Sequence, residues 1–243
     1  MIPVLLRTAD PFAPDLQMKS LMNIFMVDSE AGLIATLLQL DMMPEDPNEA
    51  FHNACTWKDT NCDDNGSIIS MCWRNTVELP LDIAWLPPSL IHAEIHFKAV
   101  GSDPFPTRRL PQTLLTCGFP QCHMGGSLDL ETLPPALAVL HLQYNKFTGT
   151  VRLTKLPRTM HRINLSGNDI RKVVVQNSLI PPLLRQVSFE GNESVKFLVL
   201  GKKAVDKRIN KRRYKDPHQA LMISYCSSDE DDMYPADIGD LPM

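Results

Sequence analysis

The chain has 243 residues, 44% of them apolar, with 24 Lys and Arg against 28 Asp and Glu for a formal net charge of −4. That length and apolar content allow one sizeable core or two domains, and the charge excludes a global attraction for nucleic acid. No run approaches the roughly 18 consecutive apolar residues that a membrane-spanning helix needs.

From the N-terminus, the opening MIPVLL is too short for the apolar core of a secretory signal, and Arg7 and Asp10 follow at once, so no export signal is expected. The first predicted element is a helix over Asp28–Leu40. Leu33, Ile34, Leu37, Leu38 and Leu40 make an apolar face at helical spacing, Asp28 or Ser29 can cap the start, and Pro44 enforces a stop. Next comes CTWKDTNC, Cys55 to Cys62, with two of the six cysteines. Cys72 and Cys117 fall in apolar columns and read as small core residues.

A repeat then takes over. Leu-Pro or Ile-Pro recurs at 86, 110, 133, 156 and 180, at spacings of 24, 23, 23 and 24 residues. In the unit LPPALAVLHLQYNKFTGTVRLTK (133–155), the apolar positions 137, 140, 142, 147, 151 and 153 suit neither a long helix nor a plain strand. A fixed period of about 20–29 residues with L-x-x-L-x-L-x-x-N-x-L is that of a solenoid coil. Leu140 and Leu142 point into the coil, whereas Val139, His141 and Gln143 point out, because side chains alternate along a strand. Asn145 and Asn168 close their strands with an amide that both donates and accepts, and Cys122 holds the same column one unit earlier. The unit at 86 has Lys98 in that column, and the unit at 180 degenerates after Asn192. No single coil buries its own apolar edge, so neighbours are required.

Aligning the units gives three outward columns. One holds His92, Thr116, Val139, Arg162 and Gln186. The second holds Glu94, Gly118, His141, Asn164 and Ser188, and the third His96, Pro120, Gln143, Ser166 and Glu190. Stacked side by side, they form a ruled polar surface of low charge, the expected place for a partner. HAEIH (92–96) is not H-E-x-x-H. In strand register, His92, Glu94 and His96 share a face, with His141 roughly 10 Å from Glu94 across two strand spacings. A metal-dependent activity there is the enzymatic alternative. Cys117, Cys122 and His123 have no second ligand pair at a familiar zinc spacing. No phosphate loop, Ser/His/Asp constellation or paired-carboxylate motif is present, so catalytic, cofactor and metal assignments are none.

Residues 86–195 resemble leucine-rich-repeat proteins, in the plant and protist variety with F-x-G-x-[IV] after the Asn, best seen in NKFTGTV (145–151). CTWKDTNC resembles the C-x-W-x-x-x-x-C caps that precede such arrays in plant receptor ectodomains. Asp59-Thr60 replaces the usual Gly-Val, and Val151-Arg152 replaces the usual Ile-Pro. The resemblance implies a short α/β solenoid, a right-handed coil with parallel strands on its concave face and an N-terminal helical cap. It also implies a Cys55–Cys62 disulfide, an extracellular or cell-surface setting, and a protein or peptide ligand rather than a small-molecule substrate.

The C-terminal segment differs. KKAVDKRINKRRYK carries eight basic residues between Lys202 and Lys215, and SSDEDDMYPADIGD carries six acids between Asp229 and Asp240. Such blocks suit a solvated tail. Lys202-Lys203 and Lys211-Arg212-Arg213 also fit a two-part nuclear-import signal or a nucleic-acid adaptor, a cytoplasmic or nuclear alternative, and Ser227 and Ser228 fit phosphorylation. The expected organisation is a cap over 1–75, repeats over 76–200 and a tail over 201–243. The expected function is non-enzymatic recognition.

Overall fold

Each Leu-Pro or Ile-Pro pair opens a tight turn. Leu90, Leu114, Leu137, Met160 and Leu184 donate their N–H to the carbonyls of Pro87, Pro111, Pro134, Pro157 and Pro181, at 3.1–3.3 Å. Proline loses nothing here, since only its carbonyl is asked to bond. The computed structural model describes residues 14–100, 104–193, 195–201 and 204–210.

From each turn the chain enters a strand of one sheet, and most coils return through a strand of a second. The strands are β1 (Thr60–Cys62), β2 (Ile68–Pro80), β3 (His92–Val100), β4 (Thr116–Gly118), β5 (Gly125–Ser127), β6 (Val139–His141), β7 (Lys146–Leu153), β8 (Arg162–Asn164), β9 (Asp169–Val175), β10 (Gln186–Ser188), β11 (Lys196–Val199) and β12 (Ile209–Asn210). The first sheet runs β1-β2-β3-β4-β6-β8-β10-β12, and the second runs β11-β9-β7-β5. All pairings are parallel except β1 with β2. The protein is a parallel-strand solenoid.

Between the sheets lie rows of fully buried side chains. Leu114, Leu137 and Met160 form one row; Cys117, Leu140, Ile163 and Val187 a second; Phe119, Leu142, Leu165 and Phe189 a third. Phe147, Val151 and Leu153 close the far side. Short 3-10 turns at Ile83–Trp85, Thr107–Arg109, Leu130–Thr132 and Asn177–Leu179 precede four of the five proline pairs.

An α/β coil was the expectation. Among the described residues, however, α-helix is confined to α1 (Pro14–Ile24) and α2 (Glu30–Gln39), and the coils return through strands and 3-10 turns. The reason is local: K-F-T-G-T-V-R-L alternates buried and exposed residues through Phe147, Val151 and Leu153, and Arg152 can pair in a ladder where proline would interrupt it. The predicted helix at 28–40 is α2, with the Ser29 hydroxyl accepting from the Gly32 N–H at its start.

The solenoid also reaches beyond the repeats read from the sequence. β2 adds a coil before residue 86, without any proline pair to announce it. At the other end, the coil from 180 does not fail after Asn192: Val195 is buried, β11 joins β9, and β12 joins β10.

Candidate recognition face

The corners between strands explain how the face is held flat. In the laddered coils, a residue in the left-handed region (Gln121, Tyr144, Gly167 or Gly191) turns the chain just before the polar corner residue. Gly167 is required there, because a Cβ would lie 2.5 Å from Cδ1 of Tyr144 on the preceding coil. Asn145 Oδ1 accepts from the Met124 N–H, while its amide donates to the carbonyls of Phe119 and Leu142. Asn168 repeats this with Phe147, Leu142 and Leu165, and Asn192 with Ile170, Leu165 and Phe189. The Cys122 thiol donates to the carbonyls of Ile95 and Pro120 at 3.2 and 3.3 Å, filling the earlier rung.

The columns stand in the expected register. His92, Thr116, Val139, Arg162 and Gln186 are successive partners across β3, β4, β6, β8 and β10. Glu94, Gly118, His141, Asn164 and Ser188 are likewise in register. Their exposure differs. The first column is partly or fully exposed along its whole length. In the inner columns, Glu94, His141, Gln143, Ser166 and Ser188 are buried, not outward in solvent, while Asn164, His96 and Glu190 are half-buried. Strands about 4.8 Å apart crowd side chains on the inside of a curve, so polar groups there bond to each other.

Those bonds define the face. His96 Nε2 lies 2.7 Å from Glu94 Oε1, His92 Nδ1 lies 3.1 Å from the Thr116 hydroxyl, and the hydroxyls of Ser166 and Ser188 are 2.8 Å apart. Gly118 leaves room for Glu94 and His141 to approach: a Cβ would sit 3.2 Å from Glu94 Cγ and 3.7 Å from His141 Cβ. Burial pulls the His141 pKa down to about 4, opposed by Glu94 and assisted by Arg162 and His96. Burial also lowers His92. Gln143 Oε1 is enclosed without a hydrogen-bond partner among the described residues.

The described residues contain no group of three His, Cys, Asp or Glu side chains placed to hold an ion, and His92 turns to Thr116 rather than to Glu94. Cys117 is buried, its thiol pKa pushed up by burial. Of the basic segment, Lys202, Lys203 and 211–215 lie outside the described residues, as do Ser227, Ser228 and the acidic run.

No protein-family model and no curated protein matches this chain. Among solved structures, the crystal structure of a pollen receptor kinase 3 matches at 19% identity and a TM-score of 0.38, over 73% of this chain and all of that one.

At the N-terminal end, Cys55 and Cys62 form a disulfide with Cα atoms 5.7 Å apart. Asp59 takes a left-handed φ of 57° where the resembling caps have glycine, a conformation Asp tolerates better than most residues. Cys72 is a correction: it is half-buried in the Glu94 column, not in the core. Sequence reading missed Gln17, whose side chain accepts from the Ile68 N–H and donates to the Gly66 carbonyl across about fifty residues. No local pattern marks such a contact. No described helix is long and apolar enough to cross a membrane.

Proposed function

We propose that this protein is a non-enzymatic recognition scaffold of the leucine-rich-repeat kind, which takes a protein or peptide along the sheet formed by β3, β4, β6, β8 and β10. In this reading the boundaries expected at 75 and 200 move outward, because β2 (Ile68–Pro80) and β12 (Ile209–Asn210) belong to the array, with the cap before it and the charged tail after it. The supporting observation is the unbroken column His92, Thr116, Val139, Arg162 and Gln186, five strands in register with exposed area at every position. The buried Glu94, His141, Gln143, Ser166 and Ser188 beneath it fix its shape, and the half-buried His96, Asn164 and Glu190 supply edge contacts. A rigid ruled surface of this kind binds without the ordering cost that a loop would incur.

The test is affinity purification with the natural chain beside Thr116→Arg and Gln186→Glu, chosen because both side chains reach solvent. Loss of the same partner in both variants, with unchanged melting temperature, is the expected result. Retention of every partner in both would refute the reading. The Cys55–Cys62 disulfide supports an extracellular or cell-surface setting, since such bonds persist in oxidising compartments. Free thiols at both positions in protein taken from its native source would point to a reducing compartment instead.

A further inference from the structure

The last coil ends in a feature unlike the rest of the face. Arg185, Gln186, Lys207, Arg208 and Asn210 line a pocket of about 330 Å³ where β10 and β12 meet. Three cationic and two amide side chains around one cavity are compatible with simple ion pairing, so their partners decide the matter.

Arg208 is fully engaged. Its Nε and one terminal nitrogen donate to the two Asp206 oxygens at 2.9 and 2.8 Å, and its other terminal nitrogen donates to the carbonyls of Pro181 and Leu184 at 3.2 Å. This fork closes the open end of the coil and also absorbs the charge of Asp206, whose pKa Arg208 holds down to about 2. Glu190, the other nearby carboxyl, accepts from the Asn210 amide at 3.0 Å. Arg185 and Lys207 are left exposed at the rim, and no carboxylate among the described residues is ion-paired with either. Gln186, between them, is the last member of the exposed column.

We infer that this pocket is an anion-reading end of the recognition face, which selects a partner peptide carrying Asp, Glu or phosphoserine where it crosses β10. The inference rests on the scaffold reading and gives its ligand a chemical class. A fixed guanidinium fork accounts for the pocket floor, Arg185 offers a second planar fork to a carboxylate or phosphate, and Lys207 adds a mobile point charge.

The experiment titrates the full chain with a fluorescent synthetic peptide, Gly-Ser-Ser-Asp-Glu-Asp-Asp-Gly, and with its Asn/Gln counterpart. Saturable binding of the acidic peptide alone is expected, weakening as salt rises. Arg185→Glu with Lys207→Glu is expected to weaken it at least tenfold. Arg171→Glu with Lys172→Glu, an equal charge change on β9 of the other sheet, is expected to leave it within twofold. Tighter binding after Asp229→Asn, Glu230→Gln, Asp231→Asn and Asp232→Asn would support the same pocket chemistry and identify the chain's own acidic run as a competitor. No saturable binding, or equal loss from the two reversals, overturns the inference. The scaffold reading then stands or falls separately, on whether Thr116→Arg loses its partner.

Discussion

The two ends of the solenoid solve one problem in different ways. Every coil must turn at the end of its strand, and every turn leaves backbone groups without a partner. From Cys122 to Asn192 a single side chain per coil does this, and the carbonyls of Leu142 and Leu165 each receive two amides from successive rungs. Between residues 60 and 100 there is no such ladder. β2 and β3 simply run on, for 13 and 9 residues against three in β4, β6, β8 and β10. That end is secured instead by packing: Phe25 stacks on Trp73 with ring centroids 5.3 Å apart, Trp57 lies 6.3 Å from Trp73, and the Trp73 N–H donates to the Thr60 hydroxyl at 3.0 Å. The lesson is that a repeat needs its corner residue for the corner, not for the strand. Where that residue is missing, the strand lengthens and other elements must cover it.

The comparison predicts that the laddered end is the more sensitive to one polar deletion. Asn168→Ala removes the acceptor of the buried Phe147 N–H and one of the two amides received by each of the Leu142 and Leu165 carbonyls. An orphaned buried N–H costs ~1–3 kcal/mol and each of the two other lost hydrogen bonds about 1 kcal/mol, so the total loss should be about 4 kcal/mol. Urea denaturation measures it. A loss below about 1 kcal/mol would mean that water or a backbone shift replaces the rung, and the ladder would not be what holds the corner.

The seam between the two regions should respond to pH. His141 on β6 stands two strands from Glu94, and its pKa in the fold is about 4 against roughly 6.5 when unfolded. The unfolded chain therefore binds the proton more readily, and stability rises with pH. The contribution is complete above the unfolded value and drains away as pH falls from about 6.5 to 4, by about 3 kcal/mol. His141→Gln should flatten that slope in urea melts at pH 7 and pH 4.5. A residual slope of the same sign is expected from His92, also lowered by burial.

How far the sequence announced all this depends on where the signal was periodic. The rows of Leu114, Leu137 and Met160, the register of the three columns and the amides of Asn145 and Asn168 recur every 23 or 24 residues, so each unit confirms the next. The burial of His141 and Gln143 was not legible: strand alternation assigns a side, whereas curvature and neighbour size decide whether that side reaches water. The coil built on β2 was missed because no proline pair precedes Ile68, and Leu79-Pro80 falls at the end of the strand, off the 23–24-residue spacing. Gln17 and Arg208 act through contacts set by tertiary placement, which no spacing rule detects. The second sheet was legible in principle, since Phe147, Val151 and Leu153 are separated by even steps.

Gln17 tests the unladdered end directly. It is 5% exposed, and its amide bridges α1 to the start of β2. Gln17→Ala should cost about 2 kcal/mol, less than Asn168→Ala because two hydrogen bonds rather than three are lost. Hydrogen exchange should show the loss at Ile68 before it appears in β8 or β10. Equal acceleration at both ends would mean that the solenoid opens as one unit and that the contrast between its ends is one of architecture only.

The smallest effect should fall where the two regions meet, at Cys122. It occupies the Asn column but offers a thiol, a weak donor, to Ile95 and Pro120. Cys122→Ala is expected to cost about 1 kcal/mol, most of it from the lost sulfur contacts in a fully buried site. Asn168→Cys then sharpens the comparison, because it places the weaker rung inside the ladder. If a thiol serves as a rung, Asn168→Cys should fall between the natural chain and Asn168→Ala in urea midpoint. A midpoint equal to that of Asn168→Ala would show that Cys122 is tolerated only because β3 and β2 lie beside it, already held by the aromatic cluster and in no need of an amide at that corner.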